Sequence, residues 1–188
     1  MQESEAAAVA RARTGNSDAF RVLIERNARS VFRLAYRLTG NEQDAEDVVQ
    51  ETFLRAYLQL EKYDGRASFH TWIYRIAANY ALDLLRARRR QGGSGPEGPA
   101  QDVERVASRE FGADRMVYSG QVQKRIEAAM GKLTEQERTA FVLRHFEGLS
   151  IEEIGEALGA GQSATKNSIF RAVQKLRRAL EPVMGGVC

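Results

Sequence analysis

Apolar residues recur at helical spacing along nearly the whole chain, with no strand-like alternation and no internal repeat. Asn16, Ser17 and Asp18 are all N-cap types, and any of them can open a helix running from Ala19 toward Asn27. Phe20, Leu23 and Ile24 share one face of it. A second stripe, Val31, Phe32, Leu34, Ala35 and Leu38, stops at Thr39-Gly40-Asn41. A third helix begins between Asn41 and Asp44 and turns Val48, Val49, Thr52, Phe53, Ala56 and Leu60 inward. Lys62 to Ser68 reads as a turn or loop. A fourth helix follows from Ser68 or Phe69 to about Arg90, with Trp72, Ile73, Ile76, Ala77, Leu82 and Leu85 apolar. Trp72 continues that stripe, so core packing is expected for it.

The pattern then fails. Gln91 to Asp102, QGGSGPEGPAQD, has no apolar period and cannot bury enough surface to offset the entropy of ordering. It reads as a linker. The expected fold is all-α, with two small helical domains at 16–90 and 117–182 joined by a flexible linker at 91–116. The second domain opens with a helix over Val117 to Lys132. Thr134 and Glu137 form a capping box, with Leu133 as hydrophobic staple, ahead of a helix carrying Phe141, Val142 and Phe146 to Gly148. Ser150 and Glu153 form a second box, opening a short helix to Leu158. Gly159-Ala160-Gly161 breaks it, and a last helix runs from about Gln162 to Leu180, ending before Pro182.

Ile151 to Arg171 has the mechanics of a helix-turn-helix. Ile154 and Leu158 bury the first helix, Gly155 is small where the second must cross, and Gly159 suits the left-handed turn position. The second helix carries Ser163, Ala164, Lys166, Asn167 and Arg171 toward a major groove, with Ile169, Val173 and Leu176 inward. Asn can read adenine, and Lys or Arg can read guanine or hold phosphate.

Charge changes the picture further. The net charge of the 188-residue chain is only +3, but it is segregated. Seven acids stand against two bases between Gly40 and Asp64, and six bases against one acid between Arg66 and Arg90. From Thr134 to Leu158 six acids meet two bases, and from Gln162 to Glu181 five bases meet one acid. Each half thus pairs an acidic segment with a basic helix, and two basic helices point to nucleic acid. The N-terminal MQESEAAAVARAR lacks a basic n-region and an apolar core, and no run is long enough to cross a bilayer, so a cytoplasmic protein without membrane insertion is expected. Cys188, the one cysteine, cannot form an internal disulfide and reads as a solvated tail thiol. His70 and His145 lie in different modules with no metal spacing, and Gly92, Gly93, Gly95 and Gly98 lack the Lys-Ser/Thr ending of a phosphate loop. Neither a metal, a cofactor nor a catalytic constellation is expected.

These segments together resemble the sigma-70 family, specifically its extracytoplasmic function (group IV) sigma factors. Asp44–Tyr57, DAEDVVQETFLRAY, and Phe69–Arg90, FHTWIYRIAANYALDLLRARRR, look like sigma region 2. Leu133–Gly159, LTEQERTAFVLRHFEGLSIEEIGEALG, with Arg171–Leu180, RAVQKLRRAL, looks like region 4. The resemblance covers most of the chain outside the linker and tails, and the combination is more specific than either half. It implies that Asp47, Gln50 and Glu51 dock on the clamp helices of the RNA polymerase beta-prime subunit. It implies that the loop from Tyr63 to Ser68, with Arg66, holds a flipped base of the −10 element. Asn79, Tyr80 and Asp83 would face that element, with Arg86, Arg88 and Arg89 on phosphates. Ser163, Ala164, Lys166, Asn167 and Arg171 would read the −35 element, and the other face of that module would meet the polymerase beta flap. Glu97, Asp102 and Glu104 would lie on a linker threading toward the polymerase cleft. Promoter DNA and core RNA polymerase are the implied partners, and an anti-sigma factor is a candidate third. Where the family usually has Thr-Val-Lys-Ser-Arg, this chain has Ala164-Thr165-Lys166-Asn167-Ser168, which bears on −35 preference and on helix packing.

Two other readings compete. A helix-turn-helix regulator explains the C-terminal half but not the acidic Asp44–Glu51 segment or Phe69–Arg90. A recombinase or nuclease would need carboxylates set apart as metal ligands, and no spacing does so.

Overall fold

The computed structural model describes residues 4–91 and 116–184. The linker reading and the tail thiol of Cys188 fall largely or wholly outside those residues. Among the described residues every regular element is helical.

The N-terminal half is built from α1 (Glu5–Arg13), α2 (Ser17–Thr39), α3 (Glu42–Gln59), a 3-10 turn (Leu60–Lys62) and α4 (Phe69–Arg90). Asn16 is the N-cap of α2, its Oδ1 accepting from the Ala19 N–H at 2.9 Å. The two stripes expected to form separate helices lie on this one helix. Neither Gly nor Pro stands at Asn27 to Ser30 to break it, and Leu23, Asn27, Val31, Leu34 and Leu38 make one buried seam. The polar link in that seam is satisfied locally, because the Asn27 amide donates to the Leu23 carbonyl at 2.9 Å. Gly40 ends α2 in the left-handed conformation, φ 79°. Asn41 then caps α3, and Ser68 caps α4. Helix α1 went unread in the sequence because its buried side chains are small: Ala8, Val9 and Ala12. It packs on α2 and α4.

The C-terminal half comprises α5 (Met116–Gly131), α6 (Glu135–His145), α7 (Ile151–Leu158) and α8 (Gln162–Met184). Both capping boxes form, at Thr134/Glu137 and Ser150/Glu153. Helix α8 continues past Pro182 to Met184. Proline removes one ladder bond and crowds the preceding turn, and so close to a helix end little of the helix remains to be broken.

Two apolar clusters organise the molecule. Ala129, Leu133, Ala172 and Leu176 hold α5 against α8. The larger cluster runs through α1 to α4 and continues into Ala140, Val142, Leu143, Leu149, Ile154 and Ala157. The outer face of α6 and α7 therefore packs on α2 and α4.

Candidate nucleic-acid interface

The helix-turn-helix closes as its sequence requires. Gly159 sits at φ 60°, the left-handed region that favours glycine. A Cβ at Gly155 would stand 2.8 Å from the Ala160 carbonyl oxygen, so the turn can cross only over glycine. Thr165, in the place usually held by valine, is fully buried, and its hydroxyl donates to the Gly161 carbonyl at 3.1 Å. Valine and threonine share a shape, so the buried position is filled and its polar atom satisfied within the helix. Ser163, Ala164, Lys166, Asn167 and Arg171 all lie exposed on the outer face of α8. Lys175, one turn beyond Arg171, points back instead, its Nζ 2.6 Å from Glu137 Oε2. Burial would raise the Glu137 pKa. Donation from Lys175, the Thr134 N–H and the lysine charge outweigh it and hold the carboxyl below its ordinary 4.5.

Helix α4 presents Asn79, Asp83, Arg86 and Arg89 to solvent along one stripe, with Tyr80 half-buried beside them. The Arg55 guanidinium from α3 lies over the Tyr80 ring at 4.8 Å. Arg88 is turned differently. Its guanidinium grips both carboxylate oxygens of Asp44, which is 1% exposed. Arg88 thus ties α4 to the start of α3. The preceding loop is braced by Tyr63, whose hydroxyl donates to the Ala67 carbonyl at 2.7 Å. Its ring packs against Phe69 (5.9 Å between centroids) and Trp72 (5.2 Å). Trp72 is half-buried against the core, as its place in the stripe led us to expect. Arg66 and Ser68 are exposed on this loop, Arg66 within 3.2 Å of Asp64.

Asp47 and Gln50 are exposed on α3, and Glu51 is half-exposed, its Oε1 2.6 Å from Arg55 Nε. The same face continues in large apolar side chains that the sequence reading left unassigned. Leu54 is 54% exposed and Leu58 70%. Helical spacing from Asp47 was the signal that could have found them.

Residues from the two halves also meet directly. Arg37 Nη1 lies 2.9 Å from Glu147 Oε1, and its guanidinium lies over the Phe146 ring at 4.5 Å. Tyr74 is fully buried, which pushes its pKa up to about 12. A hydrogen bond with Ser30 pulls the other way, and the Glu147 carboxylate adds to the rise. Arg138, also buried, donates to the Leu38 carbonyl at 3.2 Å, one of the carbonyls left unpaired at the end of α2. No described helix is long and apolar enough to cross a membrane, and no described group of His, Cys, Asp and Glu could hold a metal.

A helical chain with an exposed helix-turn-helix and a second basic helix has the surface of a DNA-binding protein. Residues 23–91 match the Sigma-70 region 2 model and residues 123–176 match the Sigma-70, region 4 model. The chain is 37% identical to the ECF RNA polymerase sigma factor SigE of Mycolicibacterium smegmatis, over 82% of this chain and 59% of that protein. It is 33% identical to the ECF RNA polymerase sigma factor SigW of Bacillus subtilis, over 88% of this chain and 91% of that one. The solved structure of the sigma factor RpoE with the anti-sigma factor NepR from Bartonella quintana shares the fold. Its TM-score is 0.66 at 20% identity, covering 86% of this chain and 96% of that one. The chain belongs to the sigma-70 family of RNA polymerase sigma factors, in the ECF group. The partners of such a factor are core RNA polymerase and promoter DNA.

Proposed function

We propose that this chain brings core RNA polymerase to promoters by dividing contacts between two modules, residues 16–90 and 117–182, joined by 91–116. Asp47, Gln50 and Glu51 dock on the clamp helices of the beta-prime subunit, with Leu54 and Leu58 as the apolar part of that contact. Exposed carboxylates beside exposed leucines suit a partner with a basic rim and an apolar centre. The loop with Tyr63, Arg66 and Ser68 receives a base of the −10 element. Asn79, Tyr80 and Asp83 face that element, while Arg86 and Arg89 track phosphates. Arg88 serves this surface chiefly by holding α4 through Asp44. Ser163, Ala164, Lys166, Asn167 and Arg171 read the −35 element, and the same module meets the beta flap.

The phosphodiester chemistry belongs to the polymerase, so the chain acts as a non-enzymatic factor without a cofactor, in the cytoplasm. An anti-sigma factor, like the partner of RpoE, is a third ligand for these faces. The observation that carries the reading is the coexistence on one chain of the α3 docking stripe and two exposed basic helices. Replacing Asp47 and Glu51 by Lys should weaken binding to core polymerase roughly 10- to 100-fold, measured by fluorescence anisotropy. Unchanged affinity at unchanged helicity would refute the docking assignment.

A further inference from the structure

Both ends of the Tyr63 side chain are engaged within the protein. Its hydroxyl donates to the Ala67 carbonyl at 2.7 Å, and its ring centroid lies 5.9 Å from that of Phe69 and 5.2 Å from that of Trp72. Phe69 and Trp72 pack on each other in turn, 5.6 Å between centroids, and Phe69 is 1% exposed. The phenol keeps its proton. Burial, then the charges of Glu5 and Asp64, raise its pKa above the ordinary 10.0, so it stays a donor at working pH. The hydrogen bond closes the loop from Tyr63 to Ala67. Inside it, Gly65 takes φ 75°, in the left-handed region, and the Arg66 N–H donates to Asp64 Oδ1 at 3.0 Å. Ser68 fastens the far end. Its hydroxyl accepts from the Thr71 N–H and donates to Thr71 Oγ1, both at 3.0 Å. Behind the loop, α1 packs on the 3-10 turn and on α4. The charged side chains of the loop, Asp64 and Arg66, stand 59% and 90% exposed.

We propose that Tyr63 is a positioning residue and not a base-stacking one: it fixes the Tyr63–Ser68 loop in its base-receiving shape before DNA arrives, and Asp64, Arg66 and the loop main chain then meet the base. The proposal rests on the reading of that loop given above. A loop that orders only on binding loses conformational freedom at that moment, and its affinity falls accordingly. A loop tied in the free chain has lost that freedom on folding. A base lifted out of its stack is read through hydrogen bonds, which weaken steeply when misaligned. One hydroxyl that sets the path of the main chain therefore acts on selectivity without touching the base.

The test uses holoenzyme assembled from the full chain and core RNA polymerase. The probe is a roughly 20-nucleotide single-strand pool, randomised at its central positions, from which bound strands are sequenced. Tyr63→Phe keeps the ring and removes the donor. It should lower the preference at one base position about threefold to tenfold, the range one net hydrogen bond spans, and leave preferences elsewhere within about twofold. In the free chain, without DNA, it should quicken tryptic cleavage after Arg66 about threefold or more, with cleavage elsewhere unchanged. An unchanged preference in Tyr63→Phe, where Arg66→Ala shifts that same position, would overturn the proposal. So would a lost preference without faster cleavage after Arg66, because the hydroxyl would then be touching the base itself. If neither Asp64→Ala nor Arg66→Ala shifts any position, the reading of the loop as the receiver of the −10 base is what fails.

Discussion

The two basic helices, α4 and α8, carry similar charge and use it differently. On α4 four of the five arginines lie within 4 Å of a carboxylate. Arg75 meets Glu156, Arg88 holds Asp44, Arg86 lies 3.6 Å from Asp83, and Arg89 faces Glu135. On α8 only Lys175 is drawn back, to Glu137, while Lys166 and Arg171 form no ion pair among the described residues. Both helices keep an exposed basic face, but only on α4 are most of the cations paired with carboxylates. The difference is one of local pairing: Lys166 and Arg171 on α8 keep their charge unshared among the described residues, whereas most arginines of α4 share theirs with a nearby carboxylate.

The largest effect should come from the apolar seam that joins the halves. Leu143 is fully buried in the cluster shared by both, and Leu176 lies in the small cluster of α5 and α8. Leu143→Ala should cost about 2–5 kcal/mol in chemical denaturation and also lower energy transfer between dyes placed on the two halves. Leu176→Ala should destabilise the C-terminal half alone, giving a separate unfolding step with transfer preserved below it. A single shared transition for both variants would break the distinction between seam and private core.

The arginines come next. Arg88→Ala leaves a carboxylate that is 1% exposed with the Asn41 amide but without its cation, so the melting temperature should fall, with a cost of about 1–3 kcal/mol once the half-exposure of Arg88 is discounted. Arg171→Ala should leave the melting temperature unchanged and weaken binding to −35 duplex by about 1–3 kcal/mol. Reversed outcomes would mean that α4 and α8 had been assigned the wrong way round.

The smallest effect is a pH dependence. The folded pKa of Glu137 is held below its ordinary value. Its contribution is therefore present above the unfolded pKa and lost as pH falls through the folded one. Glu137→Gln should flatten the acid limb of a melting-temperature profile by no more than about 1 kcal/mol. An unchanged limb would show that the Glu137–Lys175 clamp adds nothing to the private core.

Much of this fold was legible because its signals are local. Ser150 and Glu153 cap a helix three residues apart, Gly159 stops it, and Gly155 leaves room for the turn. None of these depends on distant chain. The break expected between Asn27 and Val31 was wrong for an equally local reason: one buried, self-satisfied asparagine does not interrupt a helix. Helix α1 escaped because alanines give little amphipathic contrast. Of the site, the exposed faces could be read from spacing and charge. The pairings of Arg75 with Glu156 and of Arg88 with Asp44 could not, because each joins residues 44 or more positions apart, and only tertiary packing selects one partner among many.

On the reading proposed above, one chain directs core polymerase through two separate DNA contacts. Run-off transcription by core polymerase on a pool of promoter fragments, with the transcripts sequenced at their 5′ ends, tests it most directly. We expect chain-dependent starts downstream of two shared sequence blocks. Substitutions at Asn79 and Arg86 should alter the downstream block, and substitutions at Lys166, Asn167 and Arg171 the upstream one. A chain that binds the fragments yet yields no chain-dependent starts, or whose two blocks respond to the same half, would rule out two separate DNA contacts.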